Sequence, residues 1–350
     1  MFPLYKNDGF SAINLSKYQR ESLNRLIEAI NDGSLKMIDN YCLCKNNNPE
    51  KDIVISEKDR YGIPVGSILC SRCGLIRSNK IFDESSNNLF YEKFYRDLYV
   101  GQHIPDNKFF KDQICRGENF LSLINKNKIL DDISDVFEIG CGAGGIIYPF
   151  YQKNKNCIGF DYNEDYLKFG RKFGLNLILG DWNKFLKDDS ADLIILSHVM
   201  EHFTDPIKEV GSIIQKIKPG KYLLVEVPGI FYINKVYLSP LFYLQNAHVY
   251  NYYYEYLNSF FTSFNLEVVC GDEHCVFLLK KPKNWVLPDV ECIYYESLSR
   301  YSEKISKYLI KTNNTYKKFK YLNLYFYKNI FSLILSKIGL KKIIKKLFKL

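Results

Sequence analysis

The stretch Glu138-Ile-Gly-Cys-Gly-Ala-Gly-Gly145, with Asp161 closing the next apolar run Cys157-Ile-Gly-Phe-Asp161, is the part of this 350-residue chain best suited to chemistry. The glycines follow the strand-like Val136-Phe137 and Ile139, and they let the backbone turn sharply and approach a ligand where a Cβ would intrude. Asp161 is placed to accept hydrogen bonds from both hydroxyls of a ribose. A nucleotide-like cofactor belongs at such a loop.

Gly140, Gly142 and Gly145 also satisfy the dinucleotide pattern G-x-G-x-x-G. Read as E-x-G-x-G-x-G, however, the loop puts Glu138 where a cofactor with an ammonium on a methionyl end is welcome and a pyrophosphate is repelled. Leu175–Leu179 reads as a strand ending in Gly180-Asp181-Trp182, a carboxylate for an adenine amino group and an indole to cover the ring. Asp181 can equally cap a helix, Trp182 can be a core aromatic, and Gly145 can serve tight helix packing. Asp192–Leu196 is a fourth buried strand, followed by Ser197-His198-Val-Met-Glu201-His202, and Tyr222–Pro228 is a fifth. In this order and spacing, about residues 115 to 280 resemble a class I S-adenosylmethionine-dependent methyltransferase. The resemblance implies a Rossmann-like α/β fold: a seven-stranded mixed sheet with helices on both faces. It also implies S-adenosylmethionine held by Glu138, Gly140, Gly142 and Gly144 on the first loop, Asp161 at the ribose, Asp181 and Trp182 at the adenine, and Ser197 and His198 beside the methionyl portion.

Cys42-Leu-Cys44 and Cys70-Ser-Arg-Cys73-Gly74 flank the strand-like Asp52–Ser56. Two thiolates per pair make a tetrahedral structural zinc site, with the glycine of the knuckle freeing backbone N–H groups to point at the sulfurs. The first pair has one intervening residue rather than two, Cys115 is a possible substitute, and buried free thiols are the alternative. A closed four-thiolate site leaves no open position for water, so its work is to fold a small module. The surrounding residues are not strongly basic, and nucleic acid is not an expected partner. Next comes Phe90-Tyr91-Glu-Lys-Phe-Tyr95-Arg96-Asp-Leu-Tyr99. A cysteine module, an aromatic stretch and this core together resemble bacterial sugar methyltransferases, best known as C-methyltransferases of nucleotide-linked keto-deoxysugars. The resemblance implies Tyr91, Tyr95, Arg96 and Tyr99 lying over the cleft and holding hydroxyl or phosphate groups of a sugar. An amphipathic helix packing its aromatics at i and i+4 is the alternative.

Methyl transfer needs an aligned nucleophile and a base for its proton. The chain has five histidines. His248 leads as the base, in a tyrosine-rich insertion after the fifth strand. Glu201 and His202, in the motif E-H-x-x-D-P, are the other catalytic candidates and can instead order their loop. C- and O-methylation are not distinguished. No Asp and His cluster with ligand spacing is apparent, so a magnesium-dependent O-methyltransferase is not expected. A non-catalytic scaffold has no need of the intact first loop.

Net charge is +9, yet residues 304–350 hold thirteen lysines and no acid, so the rest of the chain is mildly acidic. Ile330–Leu335 and Ile338–Leu350 set apolar residues opposite lysines, the pattern of a helix on an anionic membrane, of one docked on its own domain or a partner, or of a solvated tail. No long apolar span or signal-like start is present, and a cytoplasmic protein, peripheral on the inner membrane face through this tail, is expected. The expected divisions are an N-terminal segment 1–40, a zinc module 41–80, a tyrosine-rich cap 81–114, a methyltransferase domain 115–281 with an insertion at about 229–256, and a helical basic tail 282–350.

Overall fold

The structure, a computed structural model, describes residues 2–101 and 104–322. The apolar runs become β1 (Met37–Asp39), β2 (Ile53–Ser56), β3 (Ser67–Leu69), β4 (Ile76–Ser78), β5 (Lys80–Phe82), β6 (Asp135–Ile139), β7 (Asn156–Asp161), β8 (Asn176–Leu179), β9 (Ala191–Ser197), β10 (Ile217–Glu226), β11 (Tyr250–Asn251), β12 (Glu267–Gly271) and β13 (Val276–Lys280). Seven strands form one sheet in the order β12-β13-β10-β9-β6-β7-β8. The five from β10 to β8 run parallel, and β13 is antiparallel to both β10 and β12. The expected mixed α/β sheet is present.

Parallel strands covered on both faces read as unbroken apolar runs, and β9 is one. Leu193 and Ile195 share a buried cluster with Phe120 and Ile124 of the helix Asn107–Lys126 and Leu167 of Glu164–Arg171. Ile194 and Leu196 face the other way, into a cluster with Val210 and Ile213 of the helix Pro206–Lys216 and Phe260 of Tyr254–Ser263. The chain leaves β6 for β7 and β8 on one side, then crosses back to place β9 on the other. Ligands of such sheets bind at the carboxyl edge where the order reverses.

The cysteine module is less separate than its sequence limits suggest. Its sheet has the order β11-β4-β3-β2, and β11 comes from the expected insertion, pairing Tyr250 with Arg77 and Asn251 with Ile76. Nor is the fold complete at Lys281. The Ile293 N–H donates to the Leu43 carbonyl at 2.9 Å, and Tyr301, Ile305 and Leu309 of the helix Tyr301–Leu322 are buried. A short module cannot close its own core, and these later segments cover it. The first part of the lysine-rich region therefore docks on its own body. Ile330–Leu335 and Ile338–Leu350 lie outside the described residues. Among the described residues, no helix is long and apolar enough to cross a membrane.

Asp52 ties the module together. It accepts hydrogen bonds from the Ser71 N–H at 2.8 Å, the Ser71 hydroxyl at 2.9 Å and the Asn46 amide at 2.8 Å. It also pairs with Arg77 at 2.9 Å, the two side chains being 3% and 5% exposed. Removing one partner of a buried pair leaves the other charge uncompensated, at a cost of about 3–5 kcal/mol. Asp52→Ala is therefore expected to lower the urea midpoint clearly; an unchanged midpoint would show the pair to be dispensable.

Candidate active site

Four strand ends meet at the carboxyl edge. After β6 the backbone enters the left-handed region at Gly140, with φ +72°, where a Cβ would lie 2.6 Å from Val199 Cγ2 beyond β9. Gly142, at φ +56°, donates its N–H to Asp161 Oδ2 at 2.8 Å. The same oxygen accepts from Arg96 Nη2 at 2.9 Å, and Oδ1 accepts from the Asn163 N–H at 2.9 Å. Arg96 is thus paired with the proposed ribose acceptor rather than held out for a phosphate. Gly145 serves helix packing, since a Cβ there would lie 2.8 Å from the Phe110 carbonyl oxygen.

Glu138, on β6, is buried, and its Oε2 has no hydrogen-bond partner among the described residues. Burial, reinforced by Asp161, pushes its carboxyl well above the usual range. A cation reaching this carboxyl would favour its ionised form, which suits an ammonium. Of the residues expected at the adenine, Asp181 caps the turn Trp182–Lys184 by accepting from the Asn183 N–H at 3.0 Å, and Trp182 is a core residue, 7% exposed. The exposed aromatics near this edge are Tyr162, 63% exposed, and Phe185, 52% exposed. Tyr162 follows Asp161 directly, a position that sequence reasoning passed over.

Beyond β9, Ser197 donates to Glu226 Oε2 at 2.6 Å. His198 is a non-glycine residue at φ +55°, the kind of strain kept at working sites. Its side chain is 33% exposed, with Nδ1 3.3 Å from Glu201 Oε1 and Nε2 3.6 Å from Glu226 Oε2. Arg116 Nε lies 3.4 Å from that Glu226 oxygen. Burial opposes ionisation of Glu201, but the hydrogen bond from His198 and the nearby imidazoles of His202 and His248 prevail, and its pKa falls to about 2. Burial lowers the pKa of His202, and of His248 still further, against the pull of Glu201. His248, the leading base of the sequence reading, is 4% exposed and has the Gln245 amide against its Nε2. The fold also makes the metal-capable group that the sequence did not reveal. Glu201, His202 and His248 bring ligand atoms within 4.8 Å of one another, because two loops 45 residues apart are hydrogen-bonded together at His202 and Ala247.

The tyrosine stretch lies beside this cluster. Tyr91–Val100 is π-helical, a form frequent at functional sites. Tyr91 and Tyr95 stand edge-on to His202 at 6.0 and 5.5 Å, and Tyr95 stacks on Tyr99 at 5.1 Å. The i, i+4 packing of these aromatics is present, and it sets Tyr91 and Tyr95 beside His202.

In the module, Cys42 Sγ lies 3.5 Å from Cys73 Sγ and 3.4 Å from Cys44 Sγ, and Cys44 Sγ lies 3.6 Å from Cys70 Sγ. A tetrahedral zinc with Zn–S of about 2.3 Å spaces its sulfurs about 3.8 Å apart, so the four buried thiols fit that ion. The Gly74 N–H donates to the Cys70 carbonyl at 3.0 Å instead of to a sulfur. Cys115 is exposed on the helix Asn107–Lys126 and takes no part. Elemental analysis should find one zinc bound by thiolates, lost in Cys70→Ser with a lowered melting temperature and kept in Cys115→Ser. Thiolate-bound zinc retained by Cys70→Ser would refute the site.

Residues 107–270 match a family model described as a methyltransferase domain. No curated protein matches the chain. Similar solved structures include an S-adenosylmethionine-dependent methyltransferase from Mesorhizobium loti, with 22% identity, TM-score 0.26, and coverage of 28% of this chain and 48% of that one. This chain thus spans about half the length of that protein. A possible histamine N-methyltransferase from Thermotoga maritima has 18% identity, TM-score 0.40, and coverage of 54% and 98%. A methyltransferase from Archaeoglobus fulgidus has 21% identity, TM-score 0.36, and coverage of 58% and 93%. Residues 107–270, a little under half of the chain, are thus similar to a methyltransferase domain.

Proposed function

We propose that the protein methylates a sugar, nucleotide-linked and destined for a surface polysaccharide, with His198 removing the proton. The observation that carries this reading is His198 itself: the more exposed imidazole of its cluster, at the strand edge beside the first glycine loop, between two carboxylates. Those carboxylates stabilise the imidazolium that forms, and Glu201 orients the ring. The acceptor's O–H, or the C–H beside a ketone, gives its proton to His198. S-adenosylmethionine, when bound, would supply the methyl group to the electron pair so freed and would leave as S-adenosylhomocysteine. Glu138 would take the cofactor's ammonium and Asp161 its ribose once Arg96 yields. Tyr91 and Tyr95 supply aromatic surface for a sugar ring, and the cysteine module, holding zinc, supports the floor of the site.

Burial raises the Glu138 carboxyl in the free protein, and an arriving ammonium favours its ionised form. Calorimetric titration with S-adenosylhomocysteine in two buffers of different ionisation enthalpy should therefore show proton release, absent in Glu138→Gln. Equal heats in both buffers would remove the ammonium from Glu138. Asp161→Asn should weaken the same binding roughly 10- to 100-fold, the worth of hydrogen bonds to a charged acceptor.

His198→Ala should lower kcat about 10²–10⁴-fold on nucleotide-linked hydroxy- or keto-sugars while S-adenosylhomocysteine binds within a few-fold. Undiminished turnover would move proton removal to another group. Intact cofactor binding with no transfer to any such sugar would reject the acceptor class.

A further inference from the structure

The three side chains below His198 converge in a way that proton transfer does not require. Glu201 and His202 lie on the turn Met200–His202 after β9, and His248 lies just before β11. Two hydrogen bonds lock these loops together: the Val249 N–H to the Glu201 carbonyl at 2.8 Å, and His202 Nδ1 to the Ala247 carbonyl at 2.8 Å. A carbonyl only accepts, so His202 Nδ1 carries the hydrogen and Nε2 presents a lone pair. Fixing one imidazole nitrogen on a carbonyl and freeing the other is how proteins prepare a histidine for a metal. His202 Nε2 lies 4.0 Å and His248 Nε2 3.8 Å from Glu201 Oε1. Neither distance is a hydrogen bond, and both are close to the roughly 3–3.5 Å between donors around an ion bound at about 2.1 Å. Glu201 Oε2 and His248 Nδ1 are buried with no hydrogen-bond partner among the described residues.

We propose that Glu201, His202 and His248 bind a divalent transition-metal ion, which holds the acceptor's oxygen beside His198. Two imidazoles and a carboxylate suit zinc, cobalt, manganese or ferrous iron rather than magnesium. The Gln245 amide, now against His248 Nε2, must turn over, which brings its partnerless Oε1 to the side of the ion. The ion draws electron density from the acceptor oxygen, making the neighbouring proton easier for His198 to remove. This last role rests on the proposed methyl transfer; the ion's binding does not.

The test uses the full chain with the four-cysteine site filled by zinc, titrated with Co²⁺ and followed by calorimetry and visible absorption. One equivalent should bind with weak visible bands and without the intense near-ultraviolet band of cobalt thiolates. Glu201→Gln, His202→Ala and His248→Asn should each weaken it tenfold or more, while their circular dichroism and S-adenosylhomocysteine affinity stay near those of the parent protein. No Co²⁺ beyond the cysteine site, or equal binding by all three variants, would overturn the ion. Since S-adenosylhomocysteine is titrated on the same samples, failure of the ion and failure of the methyltransferase reading are told apart.

Discussion

The parallel pairing of β6 with β9, running from Val136↔Leu193 to Ile139↔Leu196, is the constraint on which the site depends. It joins strands separated in sequence by β7 and β8 and creates the reversal point of the sheet. Side chains at the ends of four strands then share one edge: Glu138 and the glycine loop, Asp161, Ser197 with His198, and Glu226. The fit is close enough that Gly140 admits no Cβ beside Val199. Apolar packing on both faces holds the pairing, so the polar edge is set by the core rather than by its own contacts.

Charge at that edge is arranged in two different ways. Burial, reinforced by Asp161, pushes the Glu138 carboxyl well above the usual range. Glu201 is equally buried, but its hydrogen bond from His198 and the surrounding histidines bring it down to about 2. Two carboxylates about as deep as each other are thereby shifted in opposite directions. Asp161 forms a third case, its oxygens engaged by Arg96, Gly142 and Asn163. Any ligand reaching Asp161 must therefore exchange partners with Arg96, whose π-helical stretch also packs on His202.

The cysteine module is a structural part of the site. The Ser78 hydroxyl donates to the His248 carbonyl at 2.9 Å, and its N–H donates to the Val249 carbonyl at 3.0 Å. The Tyr250 hydroxyl donates to Asn40 Oδ1 at 3.0 Å, and the Tyr253 hydroxyl reaches the Cys73 carbonyl at 2.5 Å. The loop carrying His248 is therefore tied to residues beside both cysteine pairs. The four thiols and the imidazoles are joined by one short sheet.

The sequence by itself determined the parallel strands, the glycine loop and Asp161, because these follow from local pattern: apolar runs, a turn that only glycine permits, and an acid at a strand end. It also singled out two cysteine pairs by their spacing, with Cys115 as a possible substitute, and the fold brings Cys42, Cys44, Cys70 and Cys73 together. Only the tertiary structure decided which imidazole is reachable. In sequence His248 leads as the base and His198 is placed beside the cofactor, but His198 ends a strand at the open edge while His248 is covered by Gln245 and the module. The grouping of Glu201 and His202 with His248, the engagement of Arg96 by Asp161, and the return of β11 and Tyr301 to the module are likewise contacts between distant segments. No local pattern encodes them, because they are set by how the sheet and its covering layers close on one another.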